Sequence, residues 1–331
     1  MLVGGFGTRL RPLTLTTPKQ MLPVVDRPMI SHVLAHLAGH GIDDAVLSMG
    51  YRPDAFTAAY PDGTCAGVRL HYAVDPEPLD TAGAIRFAAA AAGVDDRFLV
   101  VNGDVLTDLD VGALVAFHHE SGAEGTIALH RVEDPSGFGV VPTDADGRVQ
   151  AFVEKPPRGE APTDLINAGI YVLEPSVMGR IPANGRVSIE RQTFPAMVAD
   201  RCLFAMASDA YWLDAGTPAQ YLQAQLDLLD GVRGSAPTGV SPDAAVDPGA
   251  AVKRSVVGPG ATVGAGAVVQ ESVVLAGAVV GPGAEVRRSV LGPAAVVGEG
   301  ARLDDLCVLG EGAVVAPGER LRGVRRPDAA G

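Results

Sequence analysis

The chain has 331 residues, long enough for two domains with cores of their own, and its formal net charge is −13 at pH 7. This acidic balance argues against nucleic acid as a partner, and the sequence contains neither a signal peptide nor an apolar run of membrane-spanning length. Cys65, Cys202 and Cys307 lie far apart without metal or redox spacing, so we expect free thiols in a reducing cytoplasm.

The first predicted element is a short apolar strand that leads into a glycine-rich turn. Five residues of this turn could bind phosphate groups: Gly4, Gly5, Gly7, Thr8 and Arg9. Glycine lets a main-chain N–H approach a ligand closely, and consecutive N–H groups in a turn form a concave anion site. Arg9 and Lys19 add positive charge to a chain that is acidic overall. The turn therefore predicts a pocket for a polyphosphate ligand.

Two common phosphate-binding motifs do not match this turn. Leu10 stands where a dinucleotide fingerprint needs its third glycine, and the Gly-Lys-Ser/Thr sequence of a P-loop is missing. The run Gly-Gly-Phe-Gly-Thr-Arg-Leu-Arg-Pro-Leu-Thr, followed by Pro18-Lys19, instead resembles the signature of the sugar-1-phosphate nucleotidyltransferases. The resemblance implies that the turn binds a nucleoside triphosphate, with Arg9 and Lys19 as catalytic residues that hold the departing pyrophosphate.

From residue 1 to 230, short apolar strands alternate with amphipathic helices such as 29–40 and 81–92. The strand candidates are 2–3, 45–49, 70–74, 98–101, 126–131 and 169–173. This alternation predicts an α/β domain with a doubly wound, mostly parallel sheet. The resemblance implies that this domain has the Rossmann-like fold of the nucleotidyltransferases. Segments 138–142 and 148–153 predict a hairpin. The first strand is short, which indicates either a late start of the coding sequence or a frayed sheet edge.

The loop before the helix at 81–92 resembles the base-recognising Pro-Leu-Gly-Thr-Ala-Gly segment of the family. Its sequence is Pro78-Leu79-Asp80-Thr81-Ala82-Gly83. The resemblance implies that Thr81 and Gly83 lie near the base and ribose of the nucleotide. Asp80 replaces the usual glycine. If that position requires a positive φ, we expect local strain and a less certain base preference.

One aspartate follows a predicted strand, and a second follows the only tryptophan of the chain. Asp104 comes after strand 98–101, at the end of a strand where α/β sheets bind ligands, and Asp214 follows Trp212. Alone, each is more typical of a loop or a helix cap. Their segments resemble the Asn-Gly-Asp and Trp-x-Asp-x-Gly-Thr motifs of the family, whose aspartates bind the metal. With substrate phosphates, two carboxylates suit Mg²⁺, so we predict that both residues are catalytic and that Asp104 also contacts the nucleotide.

Three further segments resemble the sugar-phosphate site of the family. Glu154-Lys155-Pro156 resembles its Val-Glu-Lys-Pro motif, which implies that Lys155 binds the sugar phosphate and Glu154 the sugar hydroxyls. Asn167 opens an Asn-Ala-Gly-x-Tyr segment whose asparagine contacts the sugar. Gly139 matches a main-chain contact near the hexose.

The histidines are interpreted as structural. His32, His36 and His40 are spaced four apart on one predicted helical face. Because no carboxylate or cysteine partner is evident, we favour a surface stripe over a metal site. All seven histidines lie at or before His130, so the C-terminal half lacks the general base that most hexapeptide-repeat acyltransferases use.

After a Gly/Pro/Ser linker at 231–239 the sequence becomes repetitive. Equivalent positions recur at offsets of 17, 17 and 18 residues, as Ser255, Ser272, Ser289 and Cys307 show. Within each unit an aliphatic residue recurs every six, for example at Val257, Val263 and Val269. This hexad predicts a left-handed parallel β-helix at 240–323. Its Val-rich faces and exposed coil ends favour a homo-oligomer.

Together these segments imply transfer of a nucleotidyl group from a nucleoside triphosphate to a hexose-1-phosphate. The Thr-Ala-Gly and Asn-Gly-Asp-Val-Leu-Thr runs most resemble mannose-1-phosphate guanylyltransferases, which implies GTP and mannose-1-phosphate as substrates, with no membrane partner. Three alternatives stay open: glucose-1-phosphate with dTTP or UTP, a non-catalytic regulatory paralogue that binds sugar nucleotide, and a bifunctional acyltransferase. The retained site residues argue against the second, and the missing histidines argue against the third.

Overall fold

The computed structural model describes residues 1–234 and 236–327, and the chain divides into two compact units. The first comprises Met1–Gly5 and Val33–Trp212, and the second comprises Phe6–His32 and Leu213–Gly331. Ser235, within the predicted linker, lies outside the described residues.

The helices and strands are numbered in chain order. Six α-helices occur in the described residues: α1 (Met29–Gly39), α2 (Pro53–Ala59), α3 (Asp80–Ala91), α4 (Val111–Ser121), α5 (Phe194–Ala199) and α6 (Pro218–Leu229). The strands before the repeats are β1 (Pro23–Val24), β2 (Arg27–Pro28), β3 (Asp44–Met49), β4 (Thr64–Cys65), β5 (Val68–Val74), β6 (Phe98–Val101), β7 (Val105–Thr107), β8 (Gly125–Arg131), β9 (Gly139–Val140), β10 (Val153–Glu154), β11 (Leu165–Leu173), β12 (Leu203–Ser208) and β13 (Trp212–Asp214). None of the helices in the described ranges is long and apolar enough to cross a membrane.

The first unit contains a six-stranded mixed sheet of β6 and β8–β12, and a three-stranded sheet of β3, β4 and β5. β3 pairs in parallel with β5, and β8 pairs in parallel with β12. Leu2 forms parallel bridges to Ser48 within β3 and to Asn102 directly after β6. Leu2 is therefore paired on both sides, and the expectation of a frayed sheet edge at this point is wrong.

The predicted Rossmann-like α/β fold is confirmed, but β11 differs from the expected parallel pattern. It pairs antiparallel with both β6 and β8. In the described stretch 132–164 no α-helix crosses the sheet between β8 and β11, and parallel neighbours would need such a crossover. The predicted hairpin, formed by β9 and β10, occupies this connection and is confirmed.

The core of the first unit lies where α5 and the hairpin pack on this sheet. Its members include Ile127, Leu129, Tyr171, Leu173, Phe194 and Leu203. Tyr171 and Phe194 meet edge to face, with ring centroids 5.1 Å apart, a favourable aromatic geometry. This packing fixes β6, β8 and β11, whose ends carry several of the predicted site residues.

The histidines of α1 differ from the prediction. His32 is buried, and its Nε2 lies 2.9 Å from the Val24 carbonyl oxygen, so the interpretation as a surface stripe is wrong for this residue. His36 bonds to the Leu109 carbonyl, and His40 Nδ1 lies 3.9 Å from a carboxylate oxygen of Asp110. Among the described residues, no group of three or more potential His, Cys, Asp or Glu metal ligands occurs.

The C-terminal repeats of the second unit form three parallel sheets of five strands each. The strands are β14 (Ala245–Val246), β15 (Ala251–Lys253), β16 (Val256–Val257), β17 (Thr262–Val263), β18 (Val268–Gln270), β19 (Val273–Val274), β20 (Val279–Val280), β21 (Glu285–Arg287), β22 (Val290–Leu291), β23 (Val296–Val297), β24 (Arg302–Asp304), β25 (Val308–Leu309), β26 (Val314–Val315), β27 (Arg320–Arg322) and β28 (Arg325–Arg326). Each coil contributes one strand to each sheet, as the hexad predicts. The arrangement is consistent with a left-handed β-helix.

The interior of these coils consists of stacked small and aliphatic side chains, among them Val257, Val274, Leu291 and Leu309. The corner before each third strand has a positive φ, at Arg254, Glu271 and Arg288. In the next coil both Asp305 and Leu306 have positive φ. The extra residue that lengthens this coil to 18 therefore lies in a corner, where it leaves the strand register intact.

Candidate active site

In the second unit, the segment 6–14, here called the signature turn, closes around Gly7. Gly7 has a φ of +58°, and a Cβ atom there would lie 3.0 Å from Thr14 Cγ2 and 3.4 Å from Lys19 Cβ. The Thr14 hydroxyl donates a hydrogen bond to the Gly7 carbonyl at 2.7 Å. Since glycine adopts this φ without a steric penalty, Gly7 lets Thr14 and Lys19 pack against the turn.

Lys19 begins a short 3₁₀ turn after Pro18. Burial is the main cause that lowers the pKa of Lys19 to about 8, while the negative charge of Asp214 opposes this shift and the positive charge of Arg9 adds to it. The three side chains are therefore close enough to influence one another electrostatically. A partly buried ammonium of this kind is well suited to bind an anion that restores its charge balance.

Arg9 and Asp214 form an ion pair beside Gly216. Arg9 Nη2 lies 3.7 Å from Asp214 Oδ2, and the two side chains are 62% and 16% exposed. A Cβ atom at Gly216 would lie 2.5 Å from Arg9 Nη2 and 2.9 Å from Asp214 Oδ1. The glycine of the Trp-x-Asp-x-Gly-Thr motif thus makes room for the guanidinium. Because Arg9 is largely exposed, the pair itself adds little stability.

Asp214 also presents an oxygen suited to a cation. Its Oδ1 is buried and accepts no hydrogen bond from any residue in the described ranges. A buried polar atom without a partner is costly, and a carboxylate oxygen is the donor type that hard divalent cations prefer. The residues present therefore fit a divalent metal at this position.

The end of the same motif starts α6, which holds the segment that follows Lys19. The Thr217 side chain caps the helix by accepting a hydrogen bond from Gln220 N–H. Further along α6, the Gln225 amide donates to the Pro23 carbonyl at 2.8 Å and accepts from Val25 N–H at 2.6 Å. These two hydrogen bonds fix the main chain at residues 23–25, a few residues after Lys19.

In the first unit, the glycine-rich turn begins at the carboxyl ends of β3 and β6. Leu2 N–H donates to the Val101 carbonyl at 2.9 Å, and Gly103 N–H donates to the Leu2 carbonyl at 3.0 Å. Gly4 and Gly5 follow after Val3, and Gly5 has a φ of +147°. Asp104, half-buried, stands one residue beyond Gly103. The structure thus places Gly4, Gly5 and Asp104 at the edge where such sheets bind ligands.

Asn102 and Asn167 are held by the segment 167–171. Gly169 has a φ of +75°, and a Cβ atom there would lie 2.5 Å from Asn102 Nδ2. The Asn167 amide donates to the Tyr171 hydroxyl at 2.8 Å and accepts from Gly169 N–H at 2.9 Å. An amide has two N–H donors and two lone pairs, and these two bonds within the described part of the chain use one of each.

Trp212 is a residue whose role sequence analysis missed. Its indole N–H donates to the Ala168 carbonyl at 2.9 Å. Its ring stacks on His130 and meets Phe138 edge to face, with centroid distances of 5.3 and 5.7 Å. Trp212 therefore supports the segments at 138–139 and 167–169, which are predicted to contact the sugar, through both its large ring and its N–H donor.

Three of the four residues predicted to bind the sugar phosphate, Gly139, Glu154 and Lys155, lie together at the hairpin, whereas Asn167 lies on β11. Glu154 and Lys155 form an ion pair with each other. A Cβ atom at Gly139 would lie 2.6 Å from Phe152 Cζ and 3.2 Å from Glu154 Oε2, so glycine chiefly leaves room for the Phe152 ring. Lys155 has a φ of +48° and its N–H donates to the Phe138 carbonyl. Such left-handed conformations in residues other than glycine cluster at functional sites.

The loop 78–83, which is predicted to recognise the base, has a positive φ at the position where the family usually has glycine. Asp80 has a φ of +60°, and its Oδ1 accepts a hydrogen bond from Thr81 N–H at 2.9 Å. The Thr81 hydroxyl donates to Glu190 and accepts from Ile189 N–H, both at 2.8 Å. Gly83 is buried, where a Cβ atom would lie 3.0 Å from that of Leu79. Thr81 is thus anchored internally by Glu190, a contact that no sequence signal indicated.

The predicted site residues therefore fall into two groups. The second unit brings Arg9, Lys19 and Asp214 together around Gly7 and Thr8. The first unit holds the remaining ones: Gly4, Gly5, Thr81, Gly83, Asp104, Gly139, Glu154, Lys155 and Asn167.

Two protein families match the chain. The family described as Nucleotidyl transferase matches residues 1–231, and the GMPPB C-terminal domain matches residues 235–325. A mannose-1-phosphate guanylyltransferase of Mycobacterium tuberculosis is 43% identical over 262 residues, which are 76% of this chain and 71% of the relative. A mannose-1-phosphate guanyltransferase of Hypocrea jecorina is 43% identical over 228 residues, 67% of this chain and 61% of the relative.

Solved structures share the fold of the catalytic part. HddC from Yersinia pseudotuberculosis, in a crystal structure complexed with GMP-PN, is 27% identical with a TM-score of 0.59. The match covers 68% of this chain and 96% of HddC. The similarity therefore concerns the part of the chain that carries the predicted site residues.

Proposed function

Since the chain belongs to the nucleotidyl transferase family, we propose that it transfers a guanylyl group from GTP to mannose-1-phosphate, forming GDP-mannose and pyrophosphate. The observation that carries the proposal is the convergence of Arg9, Lys19 and Asp214 in the second unit. The two cationic side chains can bind the phosphates of a polyphosphate, and the carboxylate beside them can bind its metal counter-ion. The choice of guanine and mannose is supported by the relatives named mannose-1-phosphate guanylyltransferase.

In the proposed reaction, a phosphate oxygen of mannose-1-phosphate attacks the α-phosphorus of GTP in line. The bond from the α-phosphorus to the bridging oxygen breaks, and pyrophosphate leaves with its electron pair. The attacking oxygen is already anionic, so no general base is needed and catalysis depends on positioning and charge neutralisation. Arg9 and Lys19 neutralise the pyrophosphate, and N–H groups of the glycine-rich turn bind the triphosphate.

The hairpin and β11 supply the proposed sugar site. Lys155 binds the phosphate of mannose-1-phosphate, while Glu154 and the remaining donor and acceptor of Asn167 bind sugar hydroxyls. Gly139 contributes a main-chain contact. Thr81 and Gly83 lie near the base and ribose, with the Thr81 hydroxyl fixed by Glu190.

Enzymes of this family generally use a divalent metal. We propose Mg²⁺, held by Asp104 and Asp214, because the buried Oδ1 of Asp214 offers a lone pair to a cation. When bound, the ion would neutralise phosphate charge.

Asp104→Asn or Asp214→Asn should lower turnover by at least about 10²-fold and weaken Mn²⁺ binding measured by water-proton relaxation. Asp146→Asn, an exposed hairpin residue, is the control. Near-normal rates in either site variant would contradict the metal assignment.

The proposed activity is tested by product identity. The protein is incubated with GTP, mannose-1-phosphate and Mg²⁺, and the products are identified by mass spectrometry alongside pyrophosphate release. We expect GDP-mannose and pyrophosphate in equal amounts, both lost in Asp214→Asn. Pyrophosphate release without GDP-mannose would show hydrolysis and contradict the proposed transfer.

We also propose that the chain forms a homo-oligomer through one sheet of the β-helix. The sheet of β14, β17, β20, β23 and β26 has an outward column of small and apolar residues, here called the apolar face: Ala245, Thr262, Val279, Val296 and Val314. Val279 and Val314 are 36% and 58% exposed. A flat apolar strip of this kind favours burial against a partner.

The oligomer is tested by light scattering on the full-length chain. Val279→Glu with Val314→Glu should lower the measured mass, whereas Lys253→Glu with Gln270→Glu, on the adjacent sheet, should not. Truncation at residue 230 should lower it as well. A monomeric unaltered protein would contradict this proposal.

Two broader assignments accompany the function. We propose residues 1–230 as the catalytic domain and 240–323 as the β-helix domain, supported by family matches that end at 231 and begin at 235. We further propose a cytoplasmic location, because Cys65, Cys202 and Cys307, all in the described ranges, are free thiols of the kind that a reducing compartment maintains.

A further inference from the structure

The last coil of the β-helix contacts the signature turn, and both belong to the second unit. The contact is made by Arg325 in β28. Its Nη1 donates to the main-chain carbonyl of Arg9 at 3.1 Å and to that of Arg11 at 3.3 Å. One guanidinium therefore joins two carbonyls on either side of Leu10, within the segment whose arginine is proposed to bind pyrophosphate.

The Arg9 carbonyl needs a hydrogen-bond donor from outside the signature turn, because the residue that would normally donate within the turn is a proline. In the 3₁₀ turn, Leu10 N–H donates to the Gly7 carbonyl and Arg11 N–H donates to the Thr8 carbonyl. The next bond of the series would run from residue 12 to the Arg9 carbonyl. Residue 12 is Pro12, which has no N–H. Arg325 supplies the donor that Pro12 lacks, and its charge strengthens the bond.

Pro12 itself packs against the same coil. A Cβ atom at Gly310 would lie 3.0 Å from Pro12 Cβ and 3.2 Å from Pro327 Cδ. Pro12 therefore approaches this corner as closely as glycine allows. The polar contact through Arg325 and the apolar contact through Pro12 hold adjacent atoms of the turn.

Arg325 is also an exception within its own column of the β-helix. It pairs with Val308, and the column below it contains Val290, Val273 and Val256. These four valines are almost fully buried. The repeat thus predicts an aliphatic residue at 325, and an arginine occurs in the coil whose side chain meets the signature turn.

We propose that Arg325 is a positioning residue for the signature turn, so that the β-helix contributes to the reaction through this turn. It fixes the main chain at Arg9 and Arg11 and thereby holds the Arg9 side chain and the turn N–H groups ready for phosphates. A pre-organised site binds and orients its ligand at lower entropic cost. The inference rests on the proposed function for its kinetic consequences but not for the structural contact.

The kinetic test compares Arg325→Ala and Arg325→Lys with Arg322→Ala. Arg322 lies in the same coil, has a side chain that is 81% exposed and pairs with Asp305, so its loss serves as the matched control. Arg325→Ala should lower kcat/KM for GTP by roughly tenfold, the effect of one charge-assisted hydrogen bond, and leave the KM for mannose-1-phosphate unchanged. Arg325→Lys, or sub-denaturing guanidinium added to Arg325→Ala, should restore part of the loss.

A second measurement requires no activity. Hydrogen exchange should be faster at the Leu10 and Arg11 N–H groups in Arg325→Ala than in Arg322→Ala. The two variants should have equal melting temperatures. If the unaltered protein forms no nucleotide sugar, the proposed function fails, and exchange alone decides the role of Arg325. Unchanged exchange at the turn, or an equal fall in kcat/KM for both substrates without rescue, would overturn the inference.

Discussion

At the residue scale, Lys19 links burial to pH dependence. Burial lowers its pKa to about 8, whereas a lysine in an unfolded chain has a pKa of about 10.4. Below about pH 8 both states carry the proton, and holding the buried charge costs the folded state stability. From about pH 8 upwards the folded state releases its proton first, so this cost is relieved as pH rises.

The same titration should govern nucleotide binding with the opposite sign. Protonated Lys19 attracts phosphates, so kcat/KM for GTP, which reports ionisations of the free enzyme, should fall as the pH rises above about 8. Lys19→Arg, whose guanidinium stays charged, should remove the decline. The measurement is a pH profile of both proteins, and identical profiles would contradict the assignment.

The two site lysines should differ in the substrate they affect. Lys155→Ala should mainly raise the KM for mannose-1-phosphate, because its ammonium lies on the hairpin beside Glu154. Lys19→Ala should mainly impair the use of GTP and pyrophosphate. Initial-rate kinetics in both directions separate these effects. Matching losses for both substrates in both variants would show that the division of roles is wrong.

Asp80 should contribute to stability through its unusual conformation. With a φ of +60° and a bond to Thr81 N–H, it combines the left-handed tolerance of aspartate with a local acceptor. Asp80→Ala should lower the free energy of unfolding by about 1 kcal/mol. Asp80→Gly should stay within about 0.5 kcal/mol of the unaltered chain, since glycine adopts this φ without strain. Urea unfolding of both variants measures the difference, and equal losses would contradict the account.

Individual side chains were predictable where a motif fixes their spacing. The signature indicated Arg9 and Lys19, and the tryptophan motif indicated Asp214, which the second unit brings together. Arg325 could not be predicted in this way, because its partners lie 316 and 314 residues away. Only the strand register shows that it replaces a valine and that its coil meets Pro12.

At the element scale, a ladder of hydrogen bonds runs along the β-helix. Ser255, Ser272 and Ser289 each accept a hydrogen bond from the main-chain N–H of the equivalent residue in the next coil. All three are buried. The side chain at this corner therefore satisfies a main-chain donor that the interior would otherwise leave without a partner.

Ser272→Ala should break one step of this ladder. It leaves the Ser289 N–H buried without its acceptor, which costs roughly 1–3 kcal/mol. Arg320→Ala, an exposed change in a later coil, should cost less than about 0.5 kcal/mol. Denaturant unfolding followed by far-UV circular dichroism gives both values. Equal stability of the two variants would contradict the role of the ladder.

The repeat elements were the most predictable part of the fold, because one inward aliphatic per hexad fixes both the strand and its face. The antiparallel direction of β11 could not be predicted, since the sequence of an apolar strand does not indicate whether it runs parallel or antiparallel to its neighbours. His32 was misjudged for a related reason. Spacing on a helix shows which residues share a face but not what covers that face, and the Val24 carbonyl lies against His32.

At the scale of the whole molecule, a chain of net charge −13 is proposed to bind two anionic substrates. Long-range electrostatics oppose this binding, so the local cations must supply the attraction. The reaction class follows from residues whose spacing is fixed by the chemistry of phosphate. The identity of the hexose does not follow from such spacing. Mannose and glucose phosphates differ only at the 2-hydroxyl, and discrimination there depends on a few hydrogen bonds.

The most direct test of the account is a substrate matrix. Pyrophosphate release is measured for GTP, ATP, UTP, CTP and dTTP, each with mannose-, glucose-, galactose- and N-acetylglucosamine-1-phosphate. The account predicts the highest kcat/KM for GTP with mannose-1-phosphate. A clear preference for dTTP or UTP with glucose-1-phosphate would contradict it and assign a thymidylyl- or uridylyltransferase, and no turnover with any pair would leave a sugar-nucleotide-binding protein without catalytic activity.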